Sequence, residues 1–298
     1  MTLVVGASGM LGTEICRKVA VSGEPVRALV RTSTDAAKQK TLRNLGAELA
    51  YGDLKVPSTL AAACRGIRTV ISTASSTFSR QEGDTIESVD AQGQLNLIRE
   101  AKSAGVQHFI FISFPPMSLD FALQRAKRAV EKALAESGLA YTVLQPTFFT
   151  EVWLSPAVGF DAGKATALVY GSGQNPISWI SYFDVARFAA ASVGNPAARN
   201  SVVKLGGPEP LSPLQVVRTF EEVTGVKFAV THVPEEALRA QAASAADSLQ
   251  EAFAALMLSY AHGDVIDLKA VAEIFPEQAS TLASVRDYAR RQLRAAEA

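Results

Sequence analysis

The chain has 298 residues, 48% of them hydrophobic and 19% charged, enough apolar material to bury a large core and too little charge to require a disordered tract. Lysine plus arginine and aspartate plus glutamate number 29 each. With no net field to steer it toward nucleic acid or an anionic membrane, a direct nucleic-acid partner is not expected.

From Thr2 to Gln145, short β-branched runs alternate with segments of helical period, a pattern that predicts βαβ units and a parallel sheet. The strands are expected at TLVV from Thr2, VRALV from Val26, AELAY from Ala47, TVIST from Thr69, HFIFIS from His108 and AYTVLQ from Ala140. Helices are expected between them, over 11–21, 34–45, 58–64, 85–103 and 122–137. The fold class is α/β, a Rossmann-type doubly wound parallel sheet with a smaller, mainly helical C-terminal substrate lobe.

After Pro146 the rhythm breaks. SWISYFDVARFAAASVG from Ser178 reads as a short strand and a helix, VVKLGG from Val202 as another strand, and SPLQVVRTFEEVTG as a helix capped by Ser212 and closed by Gly225. The Ala-rich run from Glu235 to Tyr260 is helical in composition. The expected division is a nucleotide-binding domain over 1–147, with returning segments near 178–206, and a substrate or partner lobe over 148–298 interleaved with it.

Strand-like sequence begins at Thr2, which leaves no room for a cleaved signal, and no apolar run reaches the roughly 20 residues of a membrane span. A cytoplasmic protein, or a mature form whose targeting segment has been removed, is expected. Cys16 and Cys64 sit among apolar residues, as in a reducing compartment. The histidines, His108, His232 and His262, lack neighbouring ligands at metal spacing, so no metal is expected.

The first strand runs into GASGMLG. Gly6 makes the tight turn, Gly9 admits a pyrophosphate, and Gly12 lets helix and strand pack closely, with the phosphates at the helix N-terminus. Gly6, Ser8, Gly9, Met10 and Leu11 are the candidate cofactor contacts of this turn. An NAD-preferring fold carries a carboxylate at the end of the second strand; this chain has Arg31, a fork of donors suited to a 2′-phosphate. NADP(H) is therefore expected over NAD(H).

Further candidates lie at other carboxyl strand ends, where open α/β sheets bind ligands. Asp53 and Leu54 suit the adenine edge, Thr73, Ala74 and Ser75 the adenine-ribose side, and Pro146, Thr147 and Phe149 the nicotinamide end. From the residues alone, these stretches read equally as ordinary polar or aromatic loops.

Taken together, VVGASGMLG, YGDL, NLIREAKSAGVQHFIFIS, KRAVEKALAESGLAYTVLQPTFF, SYFDVARFAAAS and LGGPEPLS give a chain that resembles the NmrA-like group of atypical short-chain dehydrogenases, close to the isoflavone reductase-like enzymes. The resemblance implies catalytic roles for Ser113 and Lys127. Ordinary short-chain relatives pair such a lysine with a tyrosine four residues earlier, and Leu123 stands there instead. Isoflavone reductase-like enzymes also lack that tyrosine, which implies a route in which Lys127 binds ribose and manages the proton. Two functions follow: an NADPH-dependent reductase of a small hydrophobic acceptor such as a quinone or enone, or a non-catalytic NADP(H) sensor or assembly factor that reports cofactor state to a protein partner.

Overall fold

The structure, a computed structural model, describes residues 1–78 and 81–297. In chain order the first half runs β1 (Thr2–Val5), α1 (Met10–Val21), β2 (Val26–Val30), α2 (Ala36–Asn44), β3 (Glu48–Tyr51), α3 (Pro57–Cys64) and β4 (Thr69–Ser72). A π-helix (Ile86–Gly93) then leads into α4 (Gln94–Ser103), β5 (His108–Ile112), α5 (Ala122–Ser137) and β6 (Ala140–Pro146). The second half holds α6 (Thr150–Trp153), β7 (Phe160–Asp161), β8 (Thr166–Tyr170), α7 (Tyr182–Ser192), β9 (Ser201–Leu205), α8 (Pro213–Thr224) and β10 (Ala229–Val233). Helices α9 (Glu235–Ala243), α10 (Ser248–His262), α11 (Lys269–Ile274), α12 (Pro276–Ala279) and α13 (Val285–Glu297) complete it.

The chain divides into two compact units. The first comprises Met1–Phe114, Ala122–Gln145 and Val185–Val203, and the second Pro115–Phe121, Pro146–Asp184 and Lys204–Ala298. The main sheet has seven strands in the order β3-β2-β1-β4-β5-β6-β9. The pairings from β3 through β6 are parallel. That order places the switch point beside β1 and β4, where open sheets of this kind bind ligands.

TLVV, TVIS and HFIFI are buried along their whole length, as strands covered on both faces must be. Leu3, Val70, Phe109, Phe111 and Val143 pack there with Leu60, Leu97, Val130 and Leu134 from the helices. The second unit has its own core of Phe148, Tyr170, Trp179, Phe220, Tyr260 and Tyr288, among others.

Two elements differ from the sequence reading. The helix expected over 85–103 begins as eight residues of π-helix, entered through a Thr85–Ser88 capping box, before turning α-helical at Gln94. Ile177 to Ser181 forms no strand: its bridges are isolated, Ile177 with Leu211 and Asp264, and Ile180 with Phe149. Neighbouring residues of the run pair with different segments, Leu211, Asp264 and Phe149, so no single ladder extends far enough to make a strand. The second unit also contains a three-stranded sheet, β10-β8-β7, none of whose strands is among those expected above.

Candidate functional site

The turn after β1 takes the conformation its glycines permit. Gly6 has φ +83°, and a Cβ there would lie 2.8 Å from the Ala74 amide nitrogen, so the ends of β1 and β4 meet over Thr73 and Ala74 only because position 6 is bare. A Cβ on Gly12 would fall 2.1 Å from the Gly6 carbonyl oxygen. One on Gly9 would meet only that same oxygen, at 3.3 Å. Gly9 caps α1 without any side-chain hydrogen bond, and the first turn carries no acid, which leaves a 12-residue helix whose N-terminal amides suit a diphosphate. Met10 is exposed at its mouth, Ser8 is half-buried, and Leu11 is buried beneath.

At the carboxyl ends of β2 and β3 lies a charged cluster. Arg31 Nη1 donates to Asp84 at 2.5 Å, and Lys55 Nζ donates to the other oxygen of the same carboxylate at 2.6 Å. The Asp84 side chain is 2% exposed, whereas those of Arg31 and Lys55 keep 32% and 26% of their surface in solvent. Asp53 accepts from the Lys55 amide and stands 3.9 Å from its ammonium. Leu54 is buried, and its carbonyl accepts from Asn96.

The loop after β4 is fixed from beneath by the helix that follows it. Asp90, on the π-helix, accepts from the Ser76 amide at 2.9 Å and from its hydroxyl at 2.7 Å. Gln94 donates to the Ala74 carbonyl and accepts from the Ser72 hydroxyl. Ser75 pairs with Thr77.

Lys127 lies on the buried stripe of α5 with Leu123, Ala126, Val130 and Leu134. Its ammonium donates to the Ile112 carbonyl at 3.3 Å, sits 4.8 Å from the centre of the Phe111 ring, and is 3.7 Å from Asp90 Oδ1. That oxygen, wholly buried, has no hydrogen-bond partner. Burial pushes the Lys127 pKa below the ordinary lysine value, while Asp90 and Glu131 pull it back up and Arg128 lowers it further. The Ser113 hydroxyl accepts from Arg128 Nη2 at 2.9 Å, and Arg128 pairs with Glu131, which in turn accepts from Gln145.

Within the first unit, therefore, the glycine turn, Thr73 and Ala74 are in contact, and the Lys127 ammonium, from α5, meets the carbonyl of Ile112, the residue before Ser113 at the end of β5. Pro146, Thr147 and Phe149 belong to the second unit. There the Thr147 amide donates to Leu205, its hydroxyl donates to Ser178, and Phe149 bridges to Ile180. Sequence reasoning missed Asp90, Asp84, Lys55 and Arg128. The one signal for Asp90 was an acid at a position where helical period predicts a buried face.

Among the described residues no helix is long and apolar enough to cross a membrane, and no group of three or more His, Cys, Asp or Glu could hold a metal.

The model of the NmrA-like family matches residues 1–287. The photosystem II assembly factor Ycf39 of Trieres chinensis is 30% identical over 78% of this chain and 72% of its own. The NAD(P)H azoreductase of Xenophilus azovorans is 31% identical over 88% of this chain and 90% of its own. Among solved structures, an NADPH-dependent quinone oxidoreductase from Escherichia coli superposes with a TM-score of 0.76 at 20% identity, covering 98% of this chain and all of that one, a likeness of fold.

Proposed function

The chain belongs to the NmrA-like family, and on that premise we propose that it is an NADPH-dependent reductase of a small hydrophobic acceptor, such as a quinone or enone. The observation that carries the reading is the buried Lys127 at the end of β5, beside an acid and with Leu123 in place of a phenol. The NAD(P)H azoreductase relative supports it.

In this reading Gly6, Ser8, Gly9, Met10 and Leu11 hold the diphosphate on the N-terminus of α1, and Arg31 receives the 2′-phosphate. Asp53 and Leu54 border the adenine, and Thr73, Ala74 and Ser75 the adenine-ribose side. Pro146, Thr147 and Phe149 serve the nicotinamide end. Bound NADPH supplies a hydride. Lys127 binds the ribose and manages the proton, directly or through water, and the Ser113 hydroxyl, oriented by Arg128, polarises the acceptor. Without a phenol of tuned pKa, general acid catalysis worth about 10²–10⁴ is forfeited, so acceptors that take hydride without a simultaneous protein acid are favoured over ordinary ketones.

The test is NADPH oxidation followed at its near-ultraviolet absorbance with quinones, enones, azo dyes, ketones and aldehydes. Quinone or azo-dye turnover, with Lys127→Ala lowering kcat more than it raises the cofactor KM, is expected. Robust ketone reduction unaffected by Lys127→Ala would remove Lys127 from the chemistry.

A second reading is favoured by the assembly-factor relative: a non-catalytic NADP(H) sensor acting on a protein partner. Tight NADPH binding without turnover of any acceptor, together with a partner captured or released on exchange of NADPH for NADP⁺, selects it.

A further inference from the structure

Arg31 alone is a poor discriminator between a 2′-phosphate and a 2′-hydroxyl. Its guanidinium is already paired with Asp84, and a one-to-one pair of opposite charges offers an incoming anion no net attraction. What changes the balance is Lys55, whose ammonium meets the second oxygen of the same carboxylate. Two cations share the buried Asp84, with Asp53 standing 3.9 Å from the Lys55 ammonium as a second acid, and burial decides which groups face solvent. The acid is almost wholly covered, whereas about a third of the Arg31 side chain and a quarter of the Lys55 side chain are open. An anion arriving from solvent meets the cations before the carboxylate.

We propose that Lys55 is a second phosphate-binding residue and that Asp84 positions it beside Arg31, the two cations forming a cradle for the 2′-phosphate of NADP(H). This rests on the NADP(H) reading above. Asp53, 3.9 Å from the Lys55 ammonium, holds the turn through the Lys55 amide and tempers the cradle's charge. A phosphate monoester brings up to two negative charges and three acceptor oxygens, enough to engage a guanidinium fork and an ammonium together. The ammonium acts as a point charge, and the fork sets the direction.

The probes are 2′,5′-ADP and 5′-ADP, which differ only in the phosphate, titrated calorimetrically into the full chain. Lys55→Met should weaken 2′,5′-ADP at least tenfold and leave 5′-ADP within twofold. Asp84→Asn, which keeps the shape but cannot anchor two cations, should lower the ratio of the two affinities severalfold, a change that a merely structural role would not produce. A third measurement uses the wild type alone: 2′,5′-ADP, but not 5′-ADP, should protect the Lys55 amine from acylation, read by peptide mass spectrometry. If NADPH binds with an affinity unmoved by Lys55→Met and Lys55 acylates equally with either probe, the cradle is wrong and the NADP(H) reading stands. A ratio that rises in Asp84→Asn also overturns it, because the acid then competes with the phosphate. If wild-type protein binds neither NADPH nor NADH, the reading beneath the proposal falls with it.

Discussion

Asp90 and Lys127 are buried opposite charges 3.7 Å apart, joined by proximity and not by a hydrogen bond. Each comes from a different helix onto the carboxyl ends of β4 and β5, and the Asp90 carboxylate is simultaneously tied to the loop after β4 through Ser76. Breaking such a pair by removing one partner leaves an uncompensated buried charge.

Replacing Asp90 by Asn should therefore act on Lys127 before it acts on the fold. Losing the carboxylate removes the largest influence that raises the lysine pKa, so Lys127 releases its proton at lower pH. The alkaline limb of NADPH affinity plotted against pH should move to lower pH. Superimposable profiles for wild type and Asp90→Asn would show that the acid does not govern the lysine.

Loss of the Arg31 fork should weaken NADPH binding at least tenfold, from a charge-assisted contact worth roughly 1.5–3 kcal/mol, and leave NADH unchanged. Arg31→Gln is the clean variant. Arg31→Asp would set a second carboxylate beside Asp84 and disturb Lys55 as well. Fluorescence titration with the two reduced cofactors checks the ratio; a wild type that prefers NADH sinks the assignment.

Gly9 and Gly12 should separate binding from folding. The fold presents a Gly9 side chain with one contact at 3.3 Å, whereas at Gly12 the same atom would overlap backbone at 2.1 Å. Gly9→Val should keep its thermal transition within a few degrees and lose NADPH. Gly12→Val should be grossly destabilised or fail to fold. Unchanged cofactor affinity in a folded Gly9→Val protein would mean that the diphosphate lies elsewhere.

His108 makes stability depend on pH. The Thr142 hydroxyl donates to the Ala198 carbonyl, so His108 Nε2 carries the proton in its 2.9 Å bond to Thr142, and Nδ1 is left unpartnered in the core. Burial lowers the imidazole pKa to about 4. Folded protein thus binds fewer protons than unfolded chain between that value and the ordinary one near 6.5. The stability conferred by the neutral ring is complete above the unfolded pKa and is lost as pH falls toward about 4. Between pH 7 and pH 5 the loss should be about 1–2 kcal/mol. Urea midpoints across that range should fall more steeply for wild type than for His108→Gln.

The alternating rhythm of the first 145 residues made the sheet and its helices legible, because parallel strands buried on both faces read as unbroken apolar runs. The glycine turn was legible for a local reason: Gly6 and Gly12 each answer a contact within a few residues or at the neighbouring strand end. What lay hidden depended on distance in sequence. Asp84 lies 53 residues from Arg31 and 29 from Lys55, and no period links them. Lys127 was found through resemblance, whereas its burial on an amphipathic stripe became visible only with the helix packed.

The late arrival of β9 has a consequence for synthesis. Beyond β6 the sheet is completed by Ser201–Leu205, and the first unit also draws on Val185–Val203. At about 5–20 residues per second, a nascent chain that has just released β6 carries a bare strand edge for several seconds before its cover is made. A hydrophobic β6 edge in that interval is a template for pairing with other chains. The unit can close only after translation has passed residue 205, so a fragment ending near Gln145 should be recovered in the insoluble fraction, and a ribosome stalled short of β9 should be a client for chaperones.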